Sequence, residues 1–487
     1  MDKADFNSQP IYCQPGQAAG NITMPPAPPR QVKARLDASY SSTDTAAHWW
    51  KSSMNSRAGL AIGPLDRKTA REKTREEVLN SENAGGLVSA FSLLLGSTGP
   101  QVRMHRGSQE FKSFVQSRYA SWSKKRKHGQ IARLQFACLP MDGESLSIWS
   151  YNPKRRICPT NLNIIEPARL GNPNGLPDTE YMQGGIFYDS WGNPEKYSIY
   201  NTPKYNTQGY NPSDFSEYPA DQVAYMIEPK LPEQKNGLAW LAASVENLGR
   251  VRDIKNAYHE LIKTQSSITG VISPKIGGGD NEEDFAYDAW TNSPIKRNTW
   301  MMASPETTVT AFESKANSIP FESVLLNSLQ SSGHAIGLPR NSATGSSNEY
   351  NFSSARRDDA KLELLRSVFH QLAEATIWDR DFELFYDCIF PELVERFGYN
   401  NIIDLDDIKD DCFSYSFFWQ TLQDIDQEKT AKANEIDVRS GAKTVEQIVD
   451  ERGGDGLQHV QDVIAERVSL GVPEKQEVEV DIGSQTV

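Results

Sequence analysis

The chain has 487 residues and a formal net charge of −13, from 51 Lys or Arg and 64 Asp or Glu. Its 10 Trp, 18 Tyr and 19 Phe are too many for a disordered polymer, and its length predicts roughly two to four packing units. The longest nearly uncharged stretch, 84–96, is interrupted by Gly85 and Gly86 and is shorter than the roughly 20 apolar residues of a spanning helix. We therefore expect no membrane segment.

The N-terminus and the cysteines point to a reduced compartment. The first residues, MDKAD, show no apolar run after a basic start, so no cleaved secretory signal is expected. The five cysteines are scattered, odd in number and never spaced as C-x-x-C. This distribution predicts reduced thiols.

Charge is distributed unevenly along the chain. Residues 101–160 contain 12 Lys or Arg and 3 Asp or Glu, whereas residues 401–487 contain 8 and 20. The basic tract 124–127 could neutralise phosphates, but a solvated helix end explains it equally well. Neither a recognition helix nor a zinc finger accompanies the tract, so base-specific reading is not predicted.

The first half of the chain predicts an extended arm followed by a small α+β body. Residues 1–45 are rich in Pro, Ser, Gln and Ala, which cannot form a core. Apolar spacing predicts helices at 66–81 and 110–125. From 133 to 200, short β-rich segments such as 146–151 and 197–200 alternate with turn residues.

The second half is mainly helical. A stripe of apolar residues predicts a helix at 238–267, roughly 45 Å long. A compact insert follows to about 310, and then come a second helix at 320–333, a polar loop at 339–349 and a very long helical pattern from 353 to about 390. Asp358 and Asp359 suit the positive N-terminal end of that last helix. Residues 424–470 predict two or three short polar helices that must pack against something else.

The sequence contains none of the common catalytic motifs. It lacks G-x-x-x-x-G-K-[ST], G-x-S-x-G and H-E-x-x-H, and its seven histidines are isolated. A dense acidic run could bind a cation, although a solvated acidic face is favoured; its members are Asp404, Asp406, Asp407, Asp410 and Asp411. We therefore expect a non-enzyme without cofactor or metal, and keep a metal-dependent nuclease as the less favoured alternative.

Four segments carry a family resemblance. They are LNIIEPAR at 162–169 before NPNG at 172–175, the hairpin GGIFYDSWGNPEKY at 184–197, GHAIGLP at 333–339 before NEYNFSSAR at 348–356, and 431–470 with RSGAKT at 439–444. In order and type these segments resemble the lambda-type branch of the portal proteins of tailed bacteriophages. The third is the most specific, because its position relative to the predicted helices also matches. Together the resemblance covers roughly 60–470.

The resemblance implies an α+β portal fold that assembles as a ring. The implied parts are an N-terminal arm (1–45), a wing (46–235 and 352–423), two stem helices (236–270 and 313–338), a clip (271–312), a tunnel loop (339–351), an α-helical crown (424–470) and a C-terminal tail (471–487).

The resemblance also implies roles for individual residues. Those of the tunnel loop that would face DNA are Arg340, Asn341, Ser342, Thr344, Ser346, Ser347 and Asn348. The clip residues that would contact terminase and adaptor are Lys275, Asp280, Glu282, Glu283, Lys296 and Arg297. The stem residues that would contact neighbouring subunits are Leu241, Val245, Leu248, Val251 and Ile254.

The implied function is a channel at one capsid vertex through which genomic DNA is packaged, retained and ejected. The implied partners are other copies of the chain in a ring of about twelve, the major capsid protein, the large terminase subunit, the head-to-tail adaptor and double-stranded DNA without sequence specificity, with no membrane. The implied location is the portal vertex of the virion, after assembly in the host cytoplasm. The alternative within the structural class is another head-tail connector or a baseplate protein.

Overall fold

The computed structural model describes most of the chain from residue 64 onward. The described ranges are 64–155, 158–202, 209–267, 271–274, 307–310, 321–346, 352–410, 414–420 and 427–445, with short pieces at 448–449, 459–460 and 463–464. The predicted arm, the C-terminal tail, the six clip residues, Ser347 and Asn348 lie outside these ranges.

Four helices open the described chain: α1 Pro64–Asn80, α2 Glu82–Gly96, α3 Gln109–Arg126 and α4 His128–Asp142. The Ser81 and Ser108 side chains cap α2 and α3 by accepting hydrogen bonds from backbone N–H groups in the first turns. The helices predicted at 66–81 and 110–125 are confirmed. The prediction of β-rich structure from 133 onward is wrong for the end of α4, where Ala132, Phe136 and Leu139 form a buried helical face.

Two antiparallel sheets follow. In the first, β2 Glu144–Tyr151 lies between β3 Thr160–Ile165 and β8 Val223–Ile227. The second has the order β4-β5-β6-β7 and comprises β4 Met182–Gln183, β5 Ile186–Tyr188, β6 Pro194–Tyr200 and β7 Phe215–Pro219. The predicted strands at 146–151 and 197–200 are confirmed, as is the hairpin, in which Ile186 pairs with Tyr197. A separate ribbon pairs β1 Gln101–Met104 with β11 Tyr415–Phe418.

A long helix with a π-helical segment crosses the body. It runs through α8 Phe352–Ala373, the π-helix Glu374–Trp378 and α9 Asp379–Phe397, and is followed by α10 Leu405–Asp410 and α11 Gln427–Arg439. The long helical pattern is confirmed. The assignment of Asp358 and Asp359 to its N-terminal end is wrong, because the helix begins at Phe352 and both residues lie beyond the first turn; Asp358 instead pairs with Lys361 at 3.7 Å.

Three hydrophobic clusters hold these elements together. The first joins α2, α4 and α8 around the mutually packed rings of Phe91, Trp240 and Phe369. The second joins α3 and α9 with β1 and β11, and the third lies between the two sheets. The mixed α+β composition predicted from the sequence is therefore confirmed. Among the described residues, no helix combines the length and the apolar character needed to cross a bilayer.

Candidate functional site: the paired helices and the turn after them

The two predicted stem helices are present and pack side by side. They are α5 Val245–Ser267, preceded by the 3-10 helix Trp240–Ala243, and α6 Phe321–Ala335. The Asn247 amide donates hydrogen bonds to the Ser328 carbonyl (3.1 Å) and the Ser332 hydroxyl (3.2 Å). Farther along, the rings of Tyr258 and Phe321 stack at 4.6 Å with an interplanar angle of 2°. Between the helices, β9 Val271–Pro274 pairs antiparallel with β10 Thr307–Thr310, so the predicted clip begins and ends in a two-stranded ribbon.

The apolar stripe predicted on the first stem helix divides into two groups. Leu241, Leu248 and Val251 are buried within this chain, and Val245 is half-buried. Ile254, in contrast, is 44% exposed. Ile262 on α5 and Val324 on α6 are similarly exposed, at 45% and 40%. The sequence pattern alone did not separate the two groups, because both follow the same helical period.

The basic side chains of α5 all have carboxylate partners. Two of the pairs lie within the helix, Arg250 with Glu246 and Lys263 with Glu260. The other two hold α5 against the body: Arg252 pairs with the largely buried Glu77 of α1 at 2.9 Å, and Lys255 pairs with Glu82 at the start of α2. The positive charge of α5 is therefore locally compensated, and part of it anchors the helix.

The exposed face of α6 is almost uncharged. Its side chains are Ser323, Val324, Asn327, Ser331 and His334, which lie on one side of the helix opposite the buried Leu329 and Ser332. The sequence-based site assignment missed this face because it considered only the loop after the helix. The signal was present, since small polar residues recur at 323, 327 and 331, one helical turn apart.

The turn after α6 is tightly packed. Ile336 and Leu338 are buried on either side of Gly337, whose φ of +82° suits a residue without a Cβ atom. The predicted loop is then partly helical, because α7 Arg340–Thr344 begins directly after Pro339. Ala343 packs on α6 so closely that a Cβ added at Gly333 would lie 2.3 Å from the Ala343 Cβ atom.

The structure brings together five of the seven predicted tunnel-loop residues, although in a short helix and its C-terminal turn rather than in an open loop. Arg340, Asn341, Ser342, Thr344 and Ser346 are all half-buried. Thr344 donates a hydrogen bond to the Arg340 carbonyl at 2.8 Å. The prediction of a wholly irregular loop is therefore wrong at 340–344, where Ala343 supplies the apolar contact that holds the turn against α6.

A buried carboxylate holds the chain segment that leads into α5. Glu144 is 1% exposed and accepts hydrogen bonds from the Arg71 guanidinium (2.6 Å), the Tyr225 hydroxyl (2.5 Å) and the Gly237 N–H (2.8 Å). Gly143 packs against the Leu238 backbone, where an added Cβ would lie 2.2 Å away. Glu144 thus links α1, both ends of the first sheet and the segment before α5.

The acidic run has a structural role in the described residues. The Asp404 carboxylate accepts a hydrogen bond from the Tyr399 hydroxyl at 2.9 Å, and Asp406 and Asp407 lie in the first turn of α10. Within the described ranges, no group of three or more His, Cys, Asp or Glu is placed to hold a metal ion.

Comparisons with known proteins give a family and two distant structural likenesses. Residues 45–359 match the sequence profile of the family described as "Phage portal protein, lambda family". The chain is 21% identical over 400 residues to a "Probable portal protein" of Halomonas phage phiHAP-1, covering 76% of each chain.

Among solved structures, the chain is similar to one from the neck of a native gene transfer agent particle computed with C12 symmetry, with 10% identity, a TM-score of 0.43, and 85% and 95% of the two chains covered. It is also similar to an HK97 family phage portal protein from Corynebacterium diphtheriae, with 10% identity, a TM-score of 0.30, and 59% and 85% covered. These scores are too low for the structural likenesses to carry an argument.

Proposed function

The chain belongs to the lambda family of phage portal proteins, and from that premise we propose how its parts build the portal channel. Its function is that of a phage portal protein at the portal vertex of the virion, a structural role. The match over residues 45–359 carries this conclusion, because it covers both paired helices and the turn after them. We propose that the protein itself has no enzymatic activity and assembles in the host cytoplasm.

The wall of the channel is formed by the exposed face of α6. Each phosphate that a protein neutralises releases counterions and adds affinity, so a surface along which DNA must slide should offer few unpaired cations. The α6 face carries small polar side chains, and the Lys and Arg residues of α5 already have carboxylate partners. This surface can contact double-stranded DNA of any sequence without holding it.

The exposed apolar residues of the stem contact neighbouring subunits. Ile254, Ile262 and Val324 are the large apolar side chains that the two helices leave accessible in the described part of the chain. In a head-to-tail ring of about twelve copies, each subunit covers such residues on the next one. Leu241, Leu248 and Val251 then act indirectly, because they fix α5 to its own body.

The remaining contacts follow the family organisation. The segment 339–351 borders the channel after α6, with Arg340 as its one basic residue. The segment 271–312, which includes Lys275, Asp280, Glu282, Glu283, Lys296 and Arg297, binds the large terminase subunit during packaging and the head-to-tail adaptor afterwards. The wing contacts the major capsid protein, and the crown 424–470 faces the capsid interior.

Electron microscopy of the purified protein tests the ring. Averages of negatively stained particles should contain rings with a central hole. Particles that remain monomeric, or closed assemblies without a hole, would instead favour another head-tail connector or a baseplate protein.

A lysine substitution tests the channel wall. Ser331→Lys adds about one phosphate-binding cation per subunit to the proposed wall, so it should slow packaging or ejection while rings still form. The matched control is Gln371→Lys on the exposed face of α8, which should leave DNA content and ejection unchanged. Equal DNA handling by both variants would remove α6 from the channel wall.

A further inference from the structure

Two cysteines that are 230 positions apart in the sequence meet in the second hydrophobic cluster. Cys158 lies just before β3 and is 2% exposed, and Cys388 lies on α9 and is half-buried. Their thiol groups hydrogen-bond to each other. The Cys158 sulfur also lies 2.9 Å from the Thr160 hydroxyl oxygen. The folded chain therefore holds two sulfur atoms side by side.

The surroundings of the pair divide the proton unequally. The hydrogen bond from Cys388, those from Thr160 and the positive charge of Arg155 outweigh burial and lower the pKa of Cys158 to about 7. Sharing that hydrogen bond raises the pKa of Cys388, and burial and the adjacent Asp387 raise it further. Near neutral pH, Cys158 carries thiolate character and Cys388 keeps its proton, which are the states required of an attacking and a resolving thiol.

We propose that Cys158 and Cys388 form a redox-reactive dithiol that closes to an intrachain disulfide when the protein meets a hydroperoxide. The Cys158 sulfur attacks one peroxide oxygen, the O–O bond breaks, and the departing hydroxide takes a proton to become water. This step leaves a sulfenic acid on Cys158. The Cys388 sulfur then attacks the Cys158 sulfur, the S–O bond breaks, and the Cys388 proton leaves with that oxygen as a second water. Two thiols are oxidised and one peroxide is reduced.

The disulfide would cross-link the loop before β3 to the long helix. Cys158 is held by its backbone as well, because the Arg126 guanidinium at the end of α3 hydrogen-bonds to its carbonyl oxygen. A bond between positions 158 and 388 closes a large loop in the unfolded chain, so oxidation should raise the unfolding temperature. This inference stands apart from the portal ring and is tested without it.

Peptide mapping of the full-length chain tests the proposal. After brief treatment with hydrogen peroxide, a digest analysed by mass spectrometry without reduction should contain the Cys158 and Cys388 peptides joined, lighter than their sum by two hydrogens. The joined peptide should disappear on reduction, and the unfolding temperature of the oxidised protein should exceed that of the reduced protein by several degrees.

Two variants separate this pair from ordinary thiols. In Cys388→Ser, the sulfenic acid on Cys158 should persist and react with dimedone. Cys138→Ser is the matched control, because burial raises the pKa of the Cys138 thiol to about 12, and the joined peptide should still form. The proposal is overturned if peroxide leaves Cys158 unmodified in the wild-type chain, or if Cys158 or Cys388 pairs with a different cysteine.

Discussion

The body and the paired helices of this chain handle polar and apolar groups in opposite ways. The body buries ionisable side chains with partners, such as Glu144 beneath Arg71 and Asp381 beside His128. The helices α5 and α6 instead expose apolar side chains, Ile254 and Val324 among them. The difference teaches that the body is complete within one chain, whereas the surface of the helices becomes complete only against neighbouring copies.

The largest expected effect comes from removing the body's buried carboxylate. Glu144→Ala leaves Arg71 without its partner in a nearly dry site, so the free energy of unfolding should fall by about 3–5 kcal/mol. Urea denaturation followed by circular dichroism measures the loss. The matched control is Glu217→Ala, which breaks the exposed Lys196–Glu217 pair (2.7 Å) and should cost under about 1 kcal/mol. Similar losses in both variants would contradict a special role for Glu144.

The next effect concerns the joint between the body and the helices. Gly333→Val places side-chain atoms where Ala343 packs on α6, so overpacking should cost about 1–3 kcal/mol and displace α7. Gly249→Ala on α5 is the control, since the nearest atom to its added Cβ is the Arg252 Nη2 at 4.0 Å. That variant should be neutral or slightly stabilising through helix propensity. Thermal unfolding of the two variants compares them directly, and an unchanged melting temperature in Gly333→Val would refute the close fit.

A third effect is a pH dependence that originates in the body. Burial raises the pKa of Asp381 from 3.8 to about 8, so the folded chain keeps this carboxyl protonated at neutral pH while the unfolded chain ionises it. Unfolding then releases a proton, and stability falls as the pH rises toward 8. Burial lowers the pKa of His128 from 6.5 to about 3, so the opposite contribution of His128 is confined to pH values below about 6.5.

Asp381→Asn tests this assignment. The amide can still accept the hydrogen bond that the Trp149 indole donates at 3.3 Å, but it cannot ionise. Between pH 6.5 and 8 the variant should lose a stability slope of at most about 1.4 kcal/mol per pH unit. Urea denaturation at both pH values measures the slope. Retention of the full slope in Asp381→Asn would assign it to another group, and His128→Gln should leave it unchanged.

The smallest effect on stability is expected in the helices, together with a large effect on assembly. Ile254→Gln changes a side chain that is 44% exposed, so monomer stability should change by no more than about 0.5 kcal/mol. Rings should nevertheless be lost, because the neighbouring subunit would have to bury an amide. Sedimentation velocity measures the assembly state, with Ile254→Leu as the control that should still form rings. Rings of normal size in Ile254→Gln would place the subunit contact elsewhere.

Much of the architecture was predictable because it depends on local spacing. The helical period identified α3, α5, α6 and the long helix, and period-two segments identified β2 and β6. Local spacing failed at α4, where short apolar segments fit helix and strand alike, and at α7. There the polar residues after Pro339 fold into a helix because Ala343 packs on Gly333, a contact with no signal in local sequence.

Sequence was enough to establish the family, the paired helices, the uneven charge and the long helix, since each is encoded in motifs or in the periodicity of neighbouring residues. Only the folded chain separated the buried Leu248 from the exposed Ile254 on one helical stripe, paired the cations of α5 with carboxylates of α1 and α2, and joined Cys158 to Cys388. The physical reason is that burial, ion pairing and thiol pairing depend on which distant segments meet, and distance along the chain does not contain that information.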